Sequence, residues 1–312
     1  MKGSGPIAWL FYALVRAVFA LMQCFPIDWN LRTARLMARV WARFLPRHRD
    51  RAVSHLTDAL GESRSPADLS RIADKCLESI AMFAVEVVCL PRLISPTNWP
   101  RLIRLGNIEK AMNVLLSGRG AVLVTAHYGS FELVGHLLAA QGFDVTAIMR
   151  PQDNFYLNRF LVESRRTHGL KLLDKKGAAA GAESLLRNGS LVAFIGDQDA
   201  GRKGMFVDFF GKPASTYKSI GLLAISANVP ILVGYARRLG NVAKYEVGIE
   251  RVIEPDEWKD KPDPLRWITQ EYTNAFERFI TQEPSQYWWV HRRWKHQPKK
   301  NRTTSSASGE SL

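Results

Sequence analysis

The apolar positions begin with a run from Ile7 to Phe25 that only Arg16 and Gln23 interrupt, and a proline stands on each side of it. This pattern predicts one helix. At about 1.5 Å per residue the run reaches about 28 Å, slightly less than a hydrocarbon core of about 30 Å, and a central arginine costs roughly 2.5 to 3.5 kcal/mol in lipid. Crossing a membrane is therefore marginal. Because Arg16 interrupts the run and no small-residue cleavage site follows it, the pattern favours a retained anchor over a cleaved signal peptide.

A second stretch has helical spacing, with arginines every three or four residues and large apolar side chains opposite them. The arginines are Arg32, Arg35, Arg39 and Arg43, and the apolar residues are Met37, Val40, Trp41, Phe44 and Leu45. The prediction is a basic amphipathic helix that either rests on an anionic membrane surface or packs its apolar face on the protein core. The arginine excess after the first run, against Lys2 before it, predicts by the positive-inside rule that the main domain is cytoplasmic. Residues 1–50 form the predicted anchor region.

The pattern changes again further along the chain. Residues 64–117 have mainly helical apolar spacing, and from Gly120 onwards short β-rich runs alternate with helical stretches. Near-continuous apolar runs at 121–126 and 191–196 suit strands that helices cover on both faces. The sequence therefore predicts an α/β fold, a mixed sheet flanked by helices, in one main domain at 51–297. The polar residues 298–312 lack apolar periodicity and are predicted to be disordered.

Composition adds a strong positive charge and excludes some chemistry. The chain has 43 Lys and Arg against 29 Asp and Glu, a formal charge of +14, which predicts an anionic partner such as nucleic acid, a phospholipid surface or an acidic carrier protein. Cys24, Cys76 and Cys89 form no CxxC pair and are predicted to be small core residues in a reducing compartment. The histidines lack the HExxH spacing of a zinc site, so no metal or other cofactor is predicted.

The stretch AVLVTAHYGSFELVGHL carries the strongest candidate chemistry. A strand ends near Ala126, a turn forms at Gly129, and Ser130 can cap a helix that begins near Glu132. Residues five apart on one helix point about 140° apart, so only the turn lets His127 and Glu132 meet. A neutral imidazole can accept a hydroxyl proton, a carboxylate on its other nitrogen fixes the tautomer, and such catalysis gives about 10² to 10⁴ in rate. By itself the pattern HxxxxE is more often a buried histidine beside a helix-start glutamate.

Six ordered blocks extend over most of the chain. They are GRGAVLVTAHYGSFE, MRPQDN, SRRTHG, GDQDAG, VDFFGKPAS and YWWVHRRWK. From about Leu10 to Lys295 the chain resembles the bacterial lipid A biosynthesis acyltransferases, the lauroyl and myristoyl transferase family, within the wider glycerolipid acyltransferase class with its HxxxxD or HxxxxE motif. The resemblance implies the fold of that class and transfer of an acyl chain from acyl carrier protein or acyl-CoA to a hydroxyl of a membrane glycolipid, a lipid A precursor. It also implies that His127 is the base, that Glu132 orients it, and that no covalent acyl-enzyme forms.

Three further candidates for substrate binding lie near the middle of the chain. Arg150 follows an apolar strand and is expected to bind a substrate phosphate or the developing oxyanion, or else to form a surface salt bridge. Asn154 closes the same MRPQDN block and is assigned with it. Arg165 is expected to contact acidic headgroups or the acidic carrier, unless it lies on a solvated helix face.

Five more candidates come from the later blocks. Asp197 and Gln198 end another apolar strand and are expected to hold the acceptor or to orient an arginine. His291, Arg292 and Arg293 alternate with aromatic residues in the last block. Such a run suits a membrane interface or a phosphate site better than nucleic acid, because no recognition helix or RNA-binding signature accompanies it.

The interior of the motif, HYGSFE, leaves the acceptor open, because it is closer to the HxGxxE form of the wider family than to the leucine-containing interior of the enterobacterial enzymes. A glycerophospholipid, an ornithine lipid or a mannosylated inositol lipid could equally be the acceptor. A hydrolase with the same two residues, or a non-catalytic module that binds a membrane or nucleic acid, also fits the sequence. The predicted partners are an acyl carrier protein thioester or acyl-CoA, a membrane glycolipid and an anionic membrane surface, without nucleic acid. The predicted location is the inner membrane, with the catalytic domain on its cytoplasmic side.

Overall fold

The computed structural model of the chain describes residues 3–44, 46–175 and 177–298, so Leu45 and nearly all of the tail predicted to be disordered lie outside the described residues. The helices are α1 (Pro6–Gln23), α2 (Ile27–Ala42), α3 (Pro46–Leu60), α4 (Pro66–Leu93), α5 (Glu109–Leu116), α6 (Glu132–Ala140), α7 (Phe155–Arg166), α8 (Ala178–Arg187), α9 (Ser219–Ala227), α10 (Pro255–Trp258) and α11 (Pro264–Gln282). The strands are β1 (Ile103–Gly106), β2 (Ala121–Thr125), β3 (Val145–Met149), β4 (Lys171–Asp174), β5 (Leu191–Ile195), β6 (Met205–Phe209), β7 (Lys212–Thr216), β8 (Ile231–Arg238) and β9 (Tyr245–Ile253).

Seven strands form one mixed sheet in the order β1-β9-β8-β2-β5-β3-β4. Neighbouring strands run parallel except β8 and β9, which pair antiparallel. The other two strands, β6 and β7, form a separate antiparallel pair. This architecture confirms the predicted α/β fold with a mixed sheet flanked by helices.

Strand β2 lies at the centre of the sheet and is buried on both faces. Val122 and Val124 belong to one apolar core, whereas Ala121 and Leu123 belong to the other, because successive side chains of a strand point to opposite faces. Helices α3, α8, α9 and α11 contribute to the first core, and α2, α5 and α6 to the second. The double burial explains why the strand reads as a continuous apolar run. Cys76 and Cys89 are buried as predicted, whereas Cys24 is exposed, so the prediction for that residue is wrong.

Helix α2 does not pack its large apolar residues on the protein core, which was one of the two arrangements that its sequence suggested. It packs on α4 through small or buried side chains, Leu31, Ala34 and Ala38. Two of its arginines face the protein: Arg35 donates to one carboxylate oxygen of Glu78 (3.0 Å) and Arg39 to the other (2.6 Å). Its large apolar residues are exposed, and these are Trp29, Leu36, Met37, Val40 and Trp41, followed by exposed Phe44 just after the helix.

Helix α1 has no buried residue and packs beside α7. Among the described residues it is the one helix that length and composition would allow to cross a membrane. The apolar run is therefore one helix, as predicted.

Candidate active site

His127 lies two residues beyond the end of β2, at the edge of the sheet where the parallel strands end. Thr125 pairs with Ile195 of the neighbouring strand β5, so the residues that follow the two strands meet. The Nδ1–H of His127 donates to Oδ1 of Asp197 (2.7 Å), and the backbone N–H of His127 donates to Oδ2 of the same carboxylate (3.1 Å). Because a carboxylate only accepts, this contact places the ring proton on Nδ1 and leaves the lone pair on Nε2.

Asp197 is completely buried, and two effects on its acidity oppose each other. Burial alone would raise the pKa of its carboxyl group, but the attraction and the hydrogen bonds of His127, together with the charge interaction with His291, hold that pKa well below its ordinary value. Asp197 is therefore a carboxylate at neutral pH. A negative charge in this position stabilises the imidazolium that forms when His127 accepts a proton.

Three rings surround the imidazole of His127. The ring centroids of Phe131, Trp288 and His291 lie 5.0, 5.1 and 4.5 Å from its own. Burial, and then the proximity of His127, lower the pKa of His291 to about 4, although Asp197 acts in the opposite direction. His291 is therefore neutral at neutral pH and adds no positive charge beside the imidazole.

Glu132 begins α6 and contacts an arginine rather than His127. The Nε of Arg165 donates to Oε2 of Glu132 (2.9 Å) and its Nη2 donates to Oε1 (2.6 Å), a bidentate pair between α6 and α7. Burial would raise the pKa of Glu132, but Arg165 outweighs it and the net shift is downward. This geometry corrects the predicted pairing: the carboxylate on the His127 ring belongs to Asp197, because the turn after β2 directs Glu132 towards α7.

A cavity of about 610 Å³ adjoins both groups, within the usual size range of ligand sites, about 300 to 1,000 Å³. His127, Glu132 and Arg165 line it together, so the two predicted residues share one cavity although they do not bond to each other. Much of the remaining wall is apolar, with Ile148, Leu170, Leu172, Phe194 and Leu223 among its residues. The site therefore combines a basic imidazole with an apolar enclosure large enough for part of a lipid tail.

Comparison with known proteins identifies the family. The family model described as bacterial lipid A biosynthesis acyltransferase matches residues 2–296. The chain belongs to this family. Its similarity to a lipid A biosynthesis acyltransferase of Haemophilus influenzae is 23% identity over 223 residues, 70% of this chain and 67% of that protein. Its similarity to the lipid A biosynthesis lauroyltransferase of Escherichia coli K12 is 24% over 301 residues, 94% of each chain.

A phosphatidylinositol mannoside acyltransferase of Mycobacterium tuberculosis is also similar, with 28% identity over 166 residues, 50% of this chain and 51% of that protein. All three relatives carry acyltransferase names. Membership of the lipid A acyltransferase family confirms the predicted enzyme class, and it confirms the resemblance that the six sequence blocks indicated.

Several residues that the sequence assigned to the candidate site do meet at the cavity. Arg150, directly after β3, and Gln198, shortly after β5, line it as exposed side chains, and Arg165 lines it as a largely buried one. Arg165 was considered as a solvated surface residue, but its ion pair with Glu132 and its burial exclude that possibility. Its Nη1 is buried and has no hydrogen-bond partner among the described residues.

Three other candidates have different positions. The Asn154 side chain caps α7 by accepting from Leu157 N (3.0 Å) and donates to a backbone carbonyl of α1, so it holds two helices together. Arg293 is buried and donates to Ser215 O and to Thr216 Oγ1, both at 2.6 Å, so its guanidinium is hydrogen-bonded to the end of β7. Arg292 is exposed and is not among the residues that line the cavity. The structure does not bring these three to the cavity.

Two residues at or near the cavity were not among the site candidates that the sequence suggested. Lys175 follows β4 directly and lines the cavity, with its ammonium 4.3 Å from the ring centre of Tyr217. Its position after a strand, like that of Arg150, was a signal that could have identified it. His136, one turn after Glu132 on α6, is buried with its Nδ1 unpartnered among the described residues, and its Nε2 lies 4.0 Å from Glu132. Burial lowers the pKa of His136 to about 4.

Proposed function

We propose that the protein transfers a fatty acyl chain from a thioester of acyl carrier protein, or of CoA, to a hydroxyl group of a lipid A-type membrane glycolipid. The observation that carries this proposal is the His127 imidazole, held by the buried Asp197 carboxylate and facing an apolar cavity. Two of the relatives named above are lipid A biosynthesis acyltransferases, which supports this acceptor class.

In the proposed reaction His127 acts as general base. Its Nε2 removes the proton of the acceptor hydroxyl while that oxygen attacks the thioester carbonyl carbon, and the carbonyl oxygen becomes an oxyanion. The tetrahedral intermediate then expels the thiolate, which takes the proton from the imidazolium. The products are an ester and a free thiol, and His127 returns to its neutral form.

Arg165 is proposed to stabilise negative charge in this reaction. Burial would lower the pKa of its guanidinium, but the ion pair with Glu132 raises it, so the group stays charged. Glu132 occupies Nε and Nη2, and the third nitrogen, Nη1, is the buried donor without a partner among the described residues. A donor at the cavity wall suits an oxyanion or a phosphate oxygen. Glu132 is thus proposed to be a positioning residue that acts through Arg165.

Exposed cations at the cavity support an anionic acceptor. The overall charge supports a location at an anionic membrane surface. Arg150 and Lys175 both line the cavity as exposed side chains, and we propose that they receive a phosphate group of the glycolipid. The formal charge of +14 and the arginine-rich α2 support a site on the cytoplasmic face of the inner membrane, where anionic lipids and both thioester donors are found.

The test is a transfer assay with the purified full-length protein in mixed micelles. Acyl carrier protein and CoA thioesters of several chain lengths are offered with a lipid A precursor, a glycerophospholipid, an ornithine lipid or a mannosylated inositol lipid. We expect ester formation on the lipid A precursor and about 10² to 10⁴ less of it with His127→Ala. The matched control is His48→Ala, because His48 is an exposed histidine on α3.

Each competing function gives a different result in this assay. Preference for another lipid would reassign the acceptor, and thioester hydrolysis without ester formation would identify a hydrolase. If folded His127→Ala transferred acyl groups as fast as the His48→Ala control, the proposal that His127 is the base would be refuted.

A further inference from the structure

The start of α1 is attached to the start of α7. Three hydrogen bonds join them, from Phe155 N to Gly3 O (3.1 Å), from Tyr156 Oη to Ser4 O (3.0 Å) and from Asn154 Nδ2 to Ala8 O (2.9 Å). The approach is close enough that a Cβ on Gly3 would lie 2.2 Å from the carbonyl oxygen of Asp153, and Gly3 has a φ of +82°. This position therefore suits glycine only.

The middle of α1 remains in contact with α7. The Arg16 guanidinium carbon lies 4.2 Å from the centre of the Phe160 ring, and Phe19 packs on the same ring at 5.7 Å between centroids. The positive charge of Arg16, which would be costly at the centre of a bilayer, therefore lies against an aromatic ring of the protein. On α7, Arg159 and Glu163 form an exposed ion pair, which would be costly to surround with lipid.

The end of α1 is attached to the same folded unit. Asn30 of α2 donates from its side-chain nitrogen to Met22 O (2.7 Å), and α2 in turn packs on α4. A helix that crosses a bilayer has its two ends in opposite aqueous compartments, about 30 Å apart. The start of α1 instead bonds to α7, and its end bonds to α2, which packs on α4. A spanning α1 would break the three hydrogen bonds at its start.

The exposed sides of α1 and α2 carry large apolar residues, and these two sides together are called here the anchor face. Its exposed residues are Ile7, Leu10, Phe11, Leu14, Val18 and Leu21 on α1, Trp29, Leu36, Met37, Val40 and Trp41 on α2, and Phe44 just after α2. Exposed Arg32, Arg43 and Arg47 belong to or follow α2. An apolar stripe bordered by arginines is complementary to a bilayer of anionic phospholipid.

We propose that α1 and α2 both lie in the plane of one leaflet of an anionic phospholipid bilayer, and that α1 does not cross it. The cavity-lining residues Arg150 and Gln152 stand just before the segment that bonds to the start of α1, so this placement brings the membrane next to the cavity. If the proposed acyl transfer is correct, the acceptor lipid enters from that same leaflet.

Cysteine labelling in a bacterial host tests the topology without any assay of acyl transfer. Cys24 is a free, exposed thiol at the end of α1, and Gly5, at its start, has open space where a Cβ would lie. A Gly5→Cys variant is made with Cys24→Ser, and wild-type Cys24 is the matched probe for the other end. We expect a membrane-impermeant maleimide to label both positions in inside-out inner-membrane vesicles and neither in spheroplasts. Labelling of Gly5→Cys from the outer side, or only after detergent, would overturn the in-plane placement.

Vesicle binding tests the anchor face itself. Leu14→Glu and Trp41→Glu each place a charge on it, and Leu116→Glu on α5 is the matched control, because Leu116 is 72% exposed whereas Leu14 and Trp41 are each 64% exposed. We expect each anchor-face variant to bind phosphatidylglycerol-containing vesicles at least about tenfold more weakly, and the control to bind like wild type. Unchanged binding of Trp41→Glu would remove α2 from the proposed surface, and unchanged binding of both variants would refute it.

Discussion

Replacing Asp197 by asparagine examines the contact that distinguishes this site from the dyad expected from the motif. Both carboxylate oxygens of Asp197 accept N–H groups of His127. An asparagine has only one acceptor oxygen. If its amide NH2 faces Nδ1, the imidazole must take the other tautomer and Nε2 loses its lone pair; if it faces the backbone N–H, two donors meet.

The magnitude follows from the lost charge. A carboxylate about 4 Å from the imidazolium centre is worth roughly 4 kcal/mol at an effective dielectric constant of about 20. Since about 1.4 kcal/mol corresponds to a factor of ten in rate, we expect Asp197→Asn to lower kcat about 10³-fold and to leave KM for the thioester nearly unchanged.

The assay is steady-state transfer with saturating acceptor, together with thermal unfolding to show that the variant is folded. Because the folded-state pKa of Asp197 is depressed, its contribution to stability is present above about pH 4 and is lost as the pH falls below that value. The variant should lack this part of the acid dependence. A folded Asp197→Asn enzyme with kcat within tenfold of wild type would refute the assignment of Asp197 as the residue that orients His127.

Three further predictions concern other parts of the structure. Glu132→Gln should reduce transfer at least about tenfold without changing the shape of the pH–rate profile, because Glu132 contacts Arg165; a displaced profile would indicate instead that it acts on His127. Gly135→Leu should shift donor preference to shorter acyl chains in a competition between thioesters. Gly135 lines the cavity, and a Cβ there would lie 3.5 Å from Leu170, an ordinary contact distance, so the new side chain fits and occupies cavity space. An unchanged chain-length profile would contradict this. The free energy of unfolding should fall as the pH falls from 6.5 towards 4, because burial lowers the pKa values of His136 and His291 to about 4 and protonation then favours the unfolded chain. Denaturation at pH 7 and at pH 5 measures this fall. In His136→Leu the free energy of unfolding should differ less between the two pH values.

The sequence predicted the strands and the residues that follow them more reliably than it predicted which of those residues contact each other. The apolar runs at 121–126 and 191–196 located β2 and β5, and with them the positions of His127 and Asp197 at strand ends. The pairing of those two residues depends on β5 being the neighbour of β2, whereas the strands between them in the chain, β3 and β4, lie further out. Strand order is a property of the whole sheet, and a single motif such as HxxxxE contains no information about it.

The sequence also could not assign the direction of each helix face. The spacing of the arginines in α2 was visible in the sequence, but Glu78 on α4, which pairs with Arg35 and Arg39, lies about forty residues away. In the same way, Arg165 is 33 residues from Glu132. Contacts of this kind form only when separate helices pack, so the sequence left open whether these arginines were solvated or paired.

The parallel register between β2 and β5 has a consequence for how the site moves. The imidazole and its carboxylate each lie two residues beyond the end of a strand, and these two strands bond to each other at the centre of the sheet. Amide hydrogens at 122–125 and 191–195 should consequently be among the last to exchange with deuterium. The reacting pair would then keep its alignment while the outer helices fluctuate, so that capture and release of lipid need not disturb the proton-transfer geometry.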